Sequence, residues 1–451
     1  MPKPKGQAKT EVSKSKPGMA PRLVATTLLT RVIDDNRNLD ALCDGQHGLK
    51  EFLSLAEADR ALARAIGITA LRNRTRIETA IGKVVNRPPP KNARFLIHSL
   101  HVAAAQILFM NVPESAAVDL AVSAIGSDRR TSRFRGFANA VLRKLASGKT
   151  IFENDTQKVS PFPRWLEKAL RKDFGADKLA KVGESVANPP LLDITVKSNP
   201  HDWAEKLGGL VLPNESVRLL SNQSVTGLNG YAAGEWWVQD AAAAIPATLV
   251  KPKTGKNVLE ICAAPGGKTA QLVHAGYTVT ALDISTPRLK RLEENLNRLQ
   301  LEASLVEADI LHWENDKKYD AVLLDAPCSS TGTMRRHPDV IWTRSSEDVS
   351  ELAALQLAMV KKAAGFVKPG GQLIFSNCSI LKEEGEDLVA GLVKSGFELS
   401  LVPLKKEEVF GMSDLINGQG VLRSLPYQME ISEKPEASGM DGFFACKFIR
   451  D

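Results

Sequence analysis

Between Met19 and Gly148, apolar residues recur at three- and four-residue spacing and no convincing period-two run interrupts them. Val24, Leu28, Leu29, Val32 and Ile33 form one stripe, and Leu62, Ile66 and Leu71 a second. Ile97, Leu100, Ile107 and Leu108 form a third, and Phe137, Val141 and Leu142 a fourth. Arg87-Pro88-Pro89-Pro90 and Gly126-Ser127-Asp128 mark loops between them. The pattern predicts an all-helical domain over residues 19–150. Residues 151–230 read as a connector with a small α/β module. Ser160-Pro161-Phe162-Pro163 punctuates it, Trp165, Leu166, Ala169 and Leu170 suggest a helix, and the run Leu192 to Lys197 alternates as a strand does.

From Tyr231 to Asp451 short apolar runs alternate with amphipathic segments, which predicts a mostly parallel sheet with helices on both faces. The strands fall at residues 257–261, 278–283, 303–307, 321–325 and 372–376, with a late strand at 443–449 joining the sheet. Helices fall at residues 268–274, 287–299, 347–366 and 383–394. The fold class is therefore multi-domain: an all-α front, a small α/β connector and a C-terminal α/β domain.

Composition changes this picture little. The formal charge of +7 leans mildly toward a polyanionic partner. Residues 1–17 hold five lysines and one glutamate, so residues 1–18 read as a disordered basic tail, a solubilising extension or an RNA tether. Arginines group at Arg72, Arg74 and Arg76, and again at Arg129, Arg130, Arg133, Arg135 and Arg143, where a planar fork suits phosphate as well as solvent. The five cysteines, with no C-x-x-C pair, suggest neither a disulfide framework nor a zinc knuckle, and no metal is expected. With no apolar signal core and no membrane-length apolar run, the expectation is a cytoplasmic protein without a membrane partner. Nothing demands a dimer, so a monomer is expected.

The chemistry gathers at strand ends. The strand at 257–261 runs into Cys262-Ala263-Ala264-Pro265-Gly266-Gly267-Lys268-Thr269, a tight turn into a helix start. Small residues there let backbone N–H groups approach a ligand, and the spacing is neither a P-loop nor GxGxxG. Asp283 ends the next strand about twenty residues on, where an acid can accept both hydroxyls of a ribose. Asp309, after the third strand, could reach an adenine edge. Ribose and adenine recognition without a phosphate clamp suits S-adenosylmethionine. The fourth strand ends in Asp325-Ala326-Pro327-Cys328-Ser329-Ser330-Thr331-Gly332 and the fifth in Ser376-Asn377-Cys378-Ser379. These strands would be neighbours, bringing Cys328 and Cys378 together on the rim where α/β sheets bind ligands. A pair of small buried thiols is the plain alternative.

Several runs carry a resemblance. Val238-Gln239-Asp240, Cys262 to Thr269, Asp325 to Thr333, Arg336-His337-Pro338-Asp339, Asn377-Cys378-Ser379 and Gly439-Met440-Asp441-Gly442-Phe443-Phe444 together resemble the Sun/RsmB-type RNA 5-methylcytosine methyltransferases. The run from Arg135 to Lys144 resembles the last helix region of NusB-like RNA-binding domains. Two departures are visible: Leu259-Glu260 stands where Leu-Asp is more usual, and Asn377 stands where Thr is.

The resemblance implies a NusB-like front domain, a Rossmann-like class I methyltransferase domain, S-adenosylmethionine as cofactor, and RNA, 16S rRNA above all, as partner. It implies that Cys378 adds to cytosine carbon 6, activating carbon 5 for the methyl. Asp325 would hold the N3/N4 edge and supply a proton to N3, and Cys328 would assist release of the carbon 5 proton. Lys268 or the sulfonium would favour the thiolate. The cofactor set comprises Cys262, Ala263, Ala264, Pro265, Gly266, Gly267, Lys268, Asp283, Arg288, Asp309 and Asp325. The rival expectations are a catalytically silent ribosome assembly factor, or a cytosine methyltransferase acting on another RNA or on DNA. Cys43 and Cys446 are expected to be buried packing residues.

Overall fold

A computed structural model describes residues 16–221 and 224–451 of the chain. It divides into two compact units, residues 1–161 and 162–451. Most of the tail, residues 1–15, lies outside the described residues; Lys16 pairs with Asp119 on the first unit.

The first unit is helical throughout its described residues. Its longer helices are Met19–Ile33, Glu57–Arg72, Arg74–Val84, Arg94–Phe109, Glu114–Ser127 and Arg135–Ser147. The stripes meet where the spacing puts them: Leu28, Leu29, Val32, Ile66, Leu71, Leu100, Ile107, Val141 and Leu142 are all buried. One loop starts later than its residues suggest, because Gly126 and Ser127 still belong to the helix. The two arginine groups separate. Arg72 is buried, Arg74 pairs with Glu78, and Arg76 stacks over the Phe109 ring and donates to Glu153 O. Arg129, Arg130, Arg133, Arg135 and Arg143 are exposed. Cys43 is only half-buried, correcting its expected burial, because it sits at the open end of a four-residue helix.

The second unit opens with the helix Arg164–Ala187, broken at Gly175, whose φ of 79° is left-handed. Its apolar face, Leu166, Leu170, Leu179 and Val182, packs against Met334, Ile341 and Ile380. A small antiparallel sheet follows, built from β1 (Leu192–Val196), β2 (Gly209–Val211), β3 (Val217–Leu219) and β4 (Trp236–Val238) in the order β2-β3-β1-β4.

The large sheet contains β5 (Asn257–Ile261), β6 (Thr278–Asp283), β7 (Ser304–Glu307), β8 (Tyr319–Asp325), β9 (Val367–Asn377), β10 (Ser400–Val402), β11 (Leu422–Ser424) and β12 (Phe443–Ile449). Its order is β10-β12-β9-β8-β5-β6-β7, with β11 also pairing β12. Strands β5 to β9 pair parallel, and β12 runs antiparallel to β9. Both faces are covered, which is why these strands read as near-continuous apolar runs. Val258, Ala281, Leu323 and Ile374 serve one core layer, and Leu259, Leu282, Leu324 and Phe375 the other. Cys446 is fully buried on β12. Among the described residues no helix is long and apolar enough to cross a membrane.

Candidate active site

Strands β5, β8 and β9 are adjacent and parallel, with Ile261 opposite Leu324 and Asp325 opposite Ser376. Their carboxyl ends therefore present the 262–268 loop, the 325–333 loop and Asn377-Cys378-Ser379 side by side, as expected for a parallel sheet. Cys328 Sγ and Cys378 Sγ lie 3.4 Å apart. Cys328 is buried and Cys378 half-buried. A thiol hydrogen bond from Cys328 and a second from Ser330 draw the Cys378 pKa below its ordinary value, against the opposing effect of burial. That same bond to Cys378, together with burial, pushes the Cys328 thiol up. Both shifts point one way: of the two thiols, Cys378 is the one that gives up its proton more readily.

Asp325 Oδ2 accepts from Lys268 Nζ at 2.7 Å, and Oδ1 accepts from Ser376 Oγ at 2.9 Å. Lys268 is thus spoken for by a carboxylate, and its field reaches Cys378 only as a minor contribution. Cys262, by contrast, has its thiol pushed up to about 12 by burial and by Asp283 and Asp325, so it is no nucleophile.

The 262–268 loop turns on Gly266, whose φ is 101°; a Cβ there would come within 2.9 Å of Leu292 Cγ. Beneath it Asp283, almost fully buried, accepts from the Ala264 N–H at 3.2 Å and the Ser285 N–H at 3.0 Å. Arg288 lies across both, 3.3 Å from Asp283 Oδ2 and donating to Ala264 O. Asp309 is less engaged: its Oδ1 caps the Leu311 N–H at 3.0 Å and its side chain is partly exposed. A cavity of about 350 Å3 is lined by Gln239, Glu260, Ala264, Gly267, Lys268 and Asp325, while Asp283, Arg288 and Asp309 do not line it.

In the sequence Glu260 reads only as a variant of the usual aspartate, and the structure gives it more weight. It is buried, Oε2 has no hydrogen-bond partner, and burial pushes its pKa up to about 8. A buried acceptor without a donor, facing a cavity, suits a ligand that brings a cationic donor. An amino-acid ammonium beside a sulfonium is such a ligand, so the residues present fit S-adenosylmethionine.

Two features brace the rim. The Gly332 N–H donates to Cys378 O at 2.8 Å, and the Gly442 N–H donates to Gly332 O at 2.9 Å. A Cβ on Gly332 would collide with both Gly442 O and Cys378 O. Asp441, beside Gly442, donates its N–H to Asp240 Oδ1 at 3.0 Å, and Arg336 reaches Asp240 at 2.5 Å and Asp441 at 3.3 Å. Next to them Arg218 grips Asp193 with two hydrogen bonds of 2.6 and 2.7 Å and donates to Ala437 O and Gly439 O. The Gln239-Asp240, Arg336-His337-Pro338-Asp339 and Gly439–Phe444 runs thus converge on one buried ionic network.

Residues 247–449 match the family model "16S rRNA methyltransferase RsmB/F", and residues 19–147 match the NusB family. A ribosomal RNA small subunit methyltransferase B of Serratia proteamaculans is 30% identical over 449 residues, 95% of this chain and 98% of that protein. One of Vibrio vulnificus is 32% identical over 86% of this chain and 93% of its own length. Among solved structures, PH0851 shares the fold with a TM-score of 0.72 at 23% identity, over 96% of this chain and 99% of that one. A methyltransferase homologue protein from Pyrococcus horikoshii gives a TM-score of 0.51 at 25% identity, over 63% of this chain and 94% of that one.

Proposed function

This chain belongs to the 16S rRNA methyltransferase RsmB/F family, and from that premise we propose that it methylates carbon 5 of a cytosine in 16S rRNA through a covalent adduct on Cys378. The observation that carries the reading is the thiol pair, 3.4 Å apart on adjacent strand ends with the Cys378 pKa drawn below its ordinary value. Cytosine carbon 5 is a poor nucleophile until a thiolate adds to carbon 6, and a thiol needs a lowered pKa to supply that thiolate near neutrality.

Glu260 and the 262–268 loop, with Asp283, Arg288 and Asp309 beside them, would hold the cofactor. Bound S-adenosylmethionine supplies an electrophilic methyl on its sulfonium. Cys378 Sγ attacks carbon 6. Asp325 accepts from the exocyclic N4 amino group, and Lys268 Nζ, already on Asp325, is the proton-bearing neighbour for N3. With Cys378 taken up in the adduct, Cys328 gives its own proton to solvent, and the resulting thiolate removes the carbon 5 proton so that Cys378 can leave. The base must leave its stack to reach this rim, at a cost of a few kcal/mol. The exposed arginines from Arg129 to Arg143 offer phosphate contacts that offset it.

The test is methyl transfer from labelled S-adenosylmethionine to purified, unmodified 16S and 23S rRNA, followed by nucleoside analysis. Label in 5-methylcytosine from 16S rRNA is the expected result. Label in another nucleoside overturns the reading, and no label in either RNA despite cofactor binding overturns it in favour of a silent assembly role.

A further inference from the structure

Next to the two cysteines in the chain, and outside the cavity lining, lies a set of polar side chains that the chemistry above does not use. Ser329, Thr331, Gln356, Ser379 and Glu384 are all fully buried. Glu384 Oε1 accepts from the Ser329 N–H at 2.8 Å and from Gln356 Nε2 at 3.0 Å, and Oε2 accepts from Ser329 Oγ at 2.5 Å. Gln356 Nε2 also donates to Pro327 O at 2.9 Å. The hydroxyls of Ser329, Thr331 and Ser379 form a triangle with 3.2 Å sides. Ser379 Oγ and Thr331 Oγ1 then take the Leu381 and Ile380 N–H groups.

Two facts about this arrangement matter. Ser329 directly follows Cys328 and Ser379 directly follows Cys378, so the triangle ties together the two peptide segments that carry the sulfurs. Ser329 Oγ has one proton, and its 2.5 Å hydrogen bond to a carboxylate, the shortest it makes, claims that proton. Ser329 Oγ also lies 3.2 Å from Ser379 Oγ and from Thr331 Oγ1. A single buried carboxylate therefore holds the hydroxyl on which the two segments meet. A carboxylate this deep is expensive unless it is fully hydrogen-bonded, and packing alone would be served as well by an apolar side chain.

We propose that Glu384 is a positioning residue that holds Cys328 and Cys378 in the mutual orientation needed for adduct formation and release. It touches neither substrate nor cofactor and acts through Ser329 and Ser379. The inference rests on the two-thiol reading of the site.

Glu384→Gln keeps the shape and one acceptor but replaces the other with a donor aimed at the Ser329 hydroxyl, which must then turn away. Ser329→Ala is the milder companion, removing the bridge while leaving the Ser329 N–H on Glu384. Full-length variants are assayed by single-turnover methyl transfer to unmodified 16S rRNA, by cofactor titration, and by the pH profile of the rate. Glu384→Gln is expected to slow methyl transfer roughly 100-fold, the scale of an ångström-level misplacement of reacting groups. Its cofactor affinity is expected to stay within about threefold, since the network does not face the cavity. The acid limb of its pH profile is expected to move to higher pH, because a displaced Cys328 no longer donates to Cys378. A wild-type rate with an unmoved limb overturns the proposal. So does a loss of cofactor affinity in step with rate, or an unfolded Glu384→Gln beside a Ser329→Ala protein of full activity, since each reduces Glu384 to scaffold. Wild-type protein is also incubated with RNA carrying 5-fluorocytosine, which blocks proton release. If no adduct forms at Cys378, the two-thiol reading itself fails and this inference falls with it.

Discussion

Arg218→Met should destabilise the second unit without touching the reacting groups. Arg218 is 2% exposed and Asp193 1%. The guanidinium makes two hydrogen bonds to Asp193 and one each to Ala437 O and Gly439 O, so all of its forked donors but one are engaged within 2.7 Å. Methionine fills similar volume but strands a buried carboxylate and two carbonyls. Breaking a buried ion pair from one side costs about 3–5 kcal/mol. In a unit of this size that is a fall in melting temperature of roughly 10 °C. Asp193 keeps the Ala241 N–H at 3.1 Å, which favours the lower part of the range. The assay is convenient because all six tryptophans, from Trp165 to Trp342, lie within residues 162–451. Tryptophan fluorescence during heating therefore reports on this unit alone. Adding Asp193→Leu to the variant should recover about 2 kcal/mol, since the stranded charge is gone. A fall of less than about 3 °C for Arg218→Met would refute the reasoning, because it would mean that water or relaxation satisfies the carboxylate.

Other outcomes follow from the same geometry. Cys378→Ala should abolish turnover while cofactor binding, read by calorimetry, persists; substantial residual activity would reassign the nucleophile. Cys328→Ala should accumulate a slower-migrating protein–RNA species on a denaturing gel, and its absence would deny Cys328 a part in release. Glu260, raised from near 4.5 to about 8, stabilises the fold below its ordinary pKa and loses that contribution as pH rises through 8. Glu260→Gln should therefore flatten the decline of denaturation midpoint between pH 5 and 8, leaving a remainder from Asp441, which is pushed up to about 7; an unchanged slope would contradict the assignment. Replacing Arg129, Arg133 and Arg143 by alanine should lower the slope of log affinity for RNA against log salt by about one for each phosphate that is no longer neutralised, and an unaltered slope would remove this face from the RNA interface.

Strands β5, β6 and β12 could be read from the sequence to the residue, because buried parallel or central strands are near-continuous apolar runs with few polar interruptions. The three-residue strands β2, β3, β4, β10 and β11 could not, since so short a segment carries no period. β9 begins earlier than expected because Lys368-Pro369-Gly370-Gly371 reads as a turn, yet Val367 pairs with Tyr319 ahead of the irregular register there. At the site, Cys328, Cys378 and Asp325 were legible because strand ends in a parallel sheet face one way. Glu260 and Glu384 were not, because a glutamate looks the same in sequence whether it meets solvent or a buried serine. The charges of Arg218, Asp193, Asp240 and Asp441 had a similar fate: pairing across 25 to 221 residues of chain leaves no local trace.

The clasp joining Cys378, Gly332 and Gly442 has a consequence for how the protein comes into being. Its third member, Gly442, lies next to β12, which pairs with β9 through Phe444 opposite Asn377. Domains fold from the N-terminus during synthesis, so the front unit and most of the sheet can form while translation continues. The clasp on Cys378 closes only after β12 has been made, so a chain still short of that strand holds the two thiols without this brace.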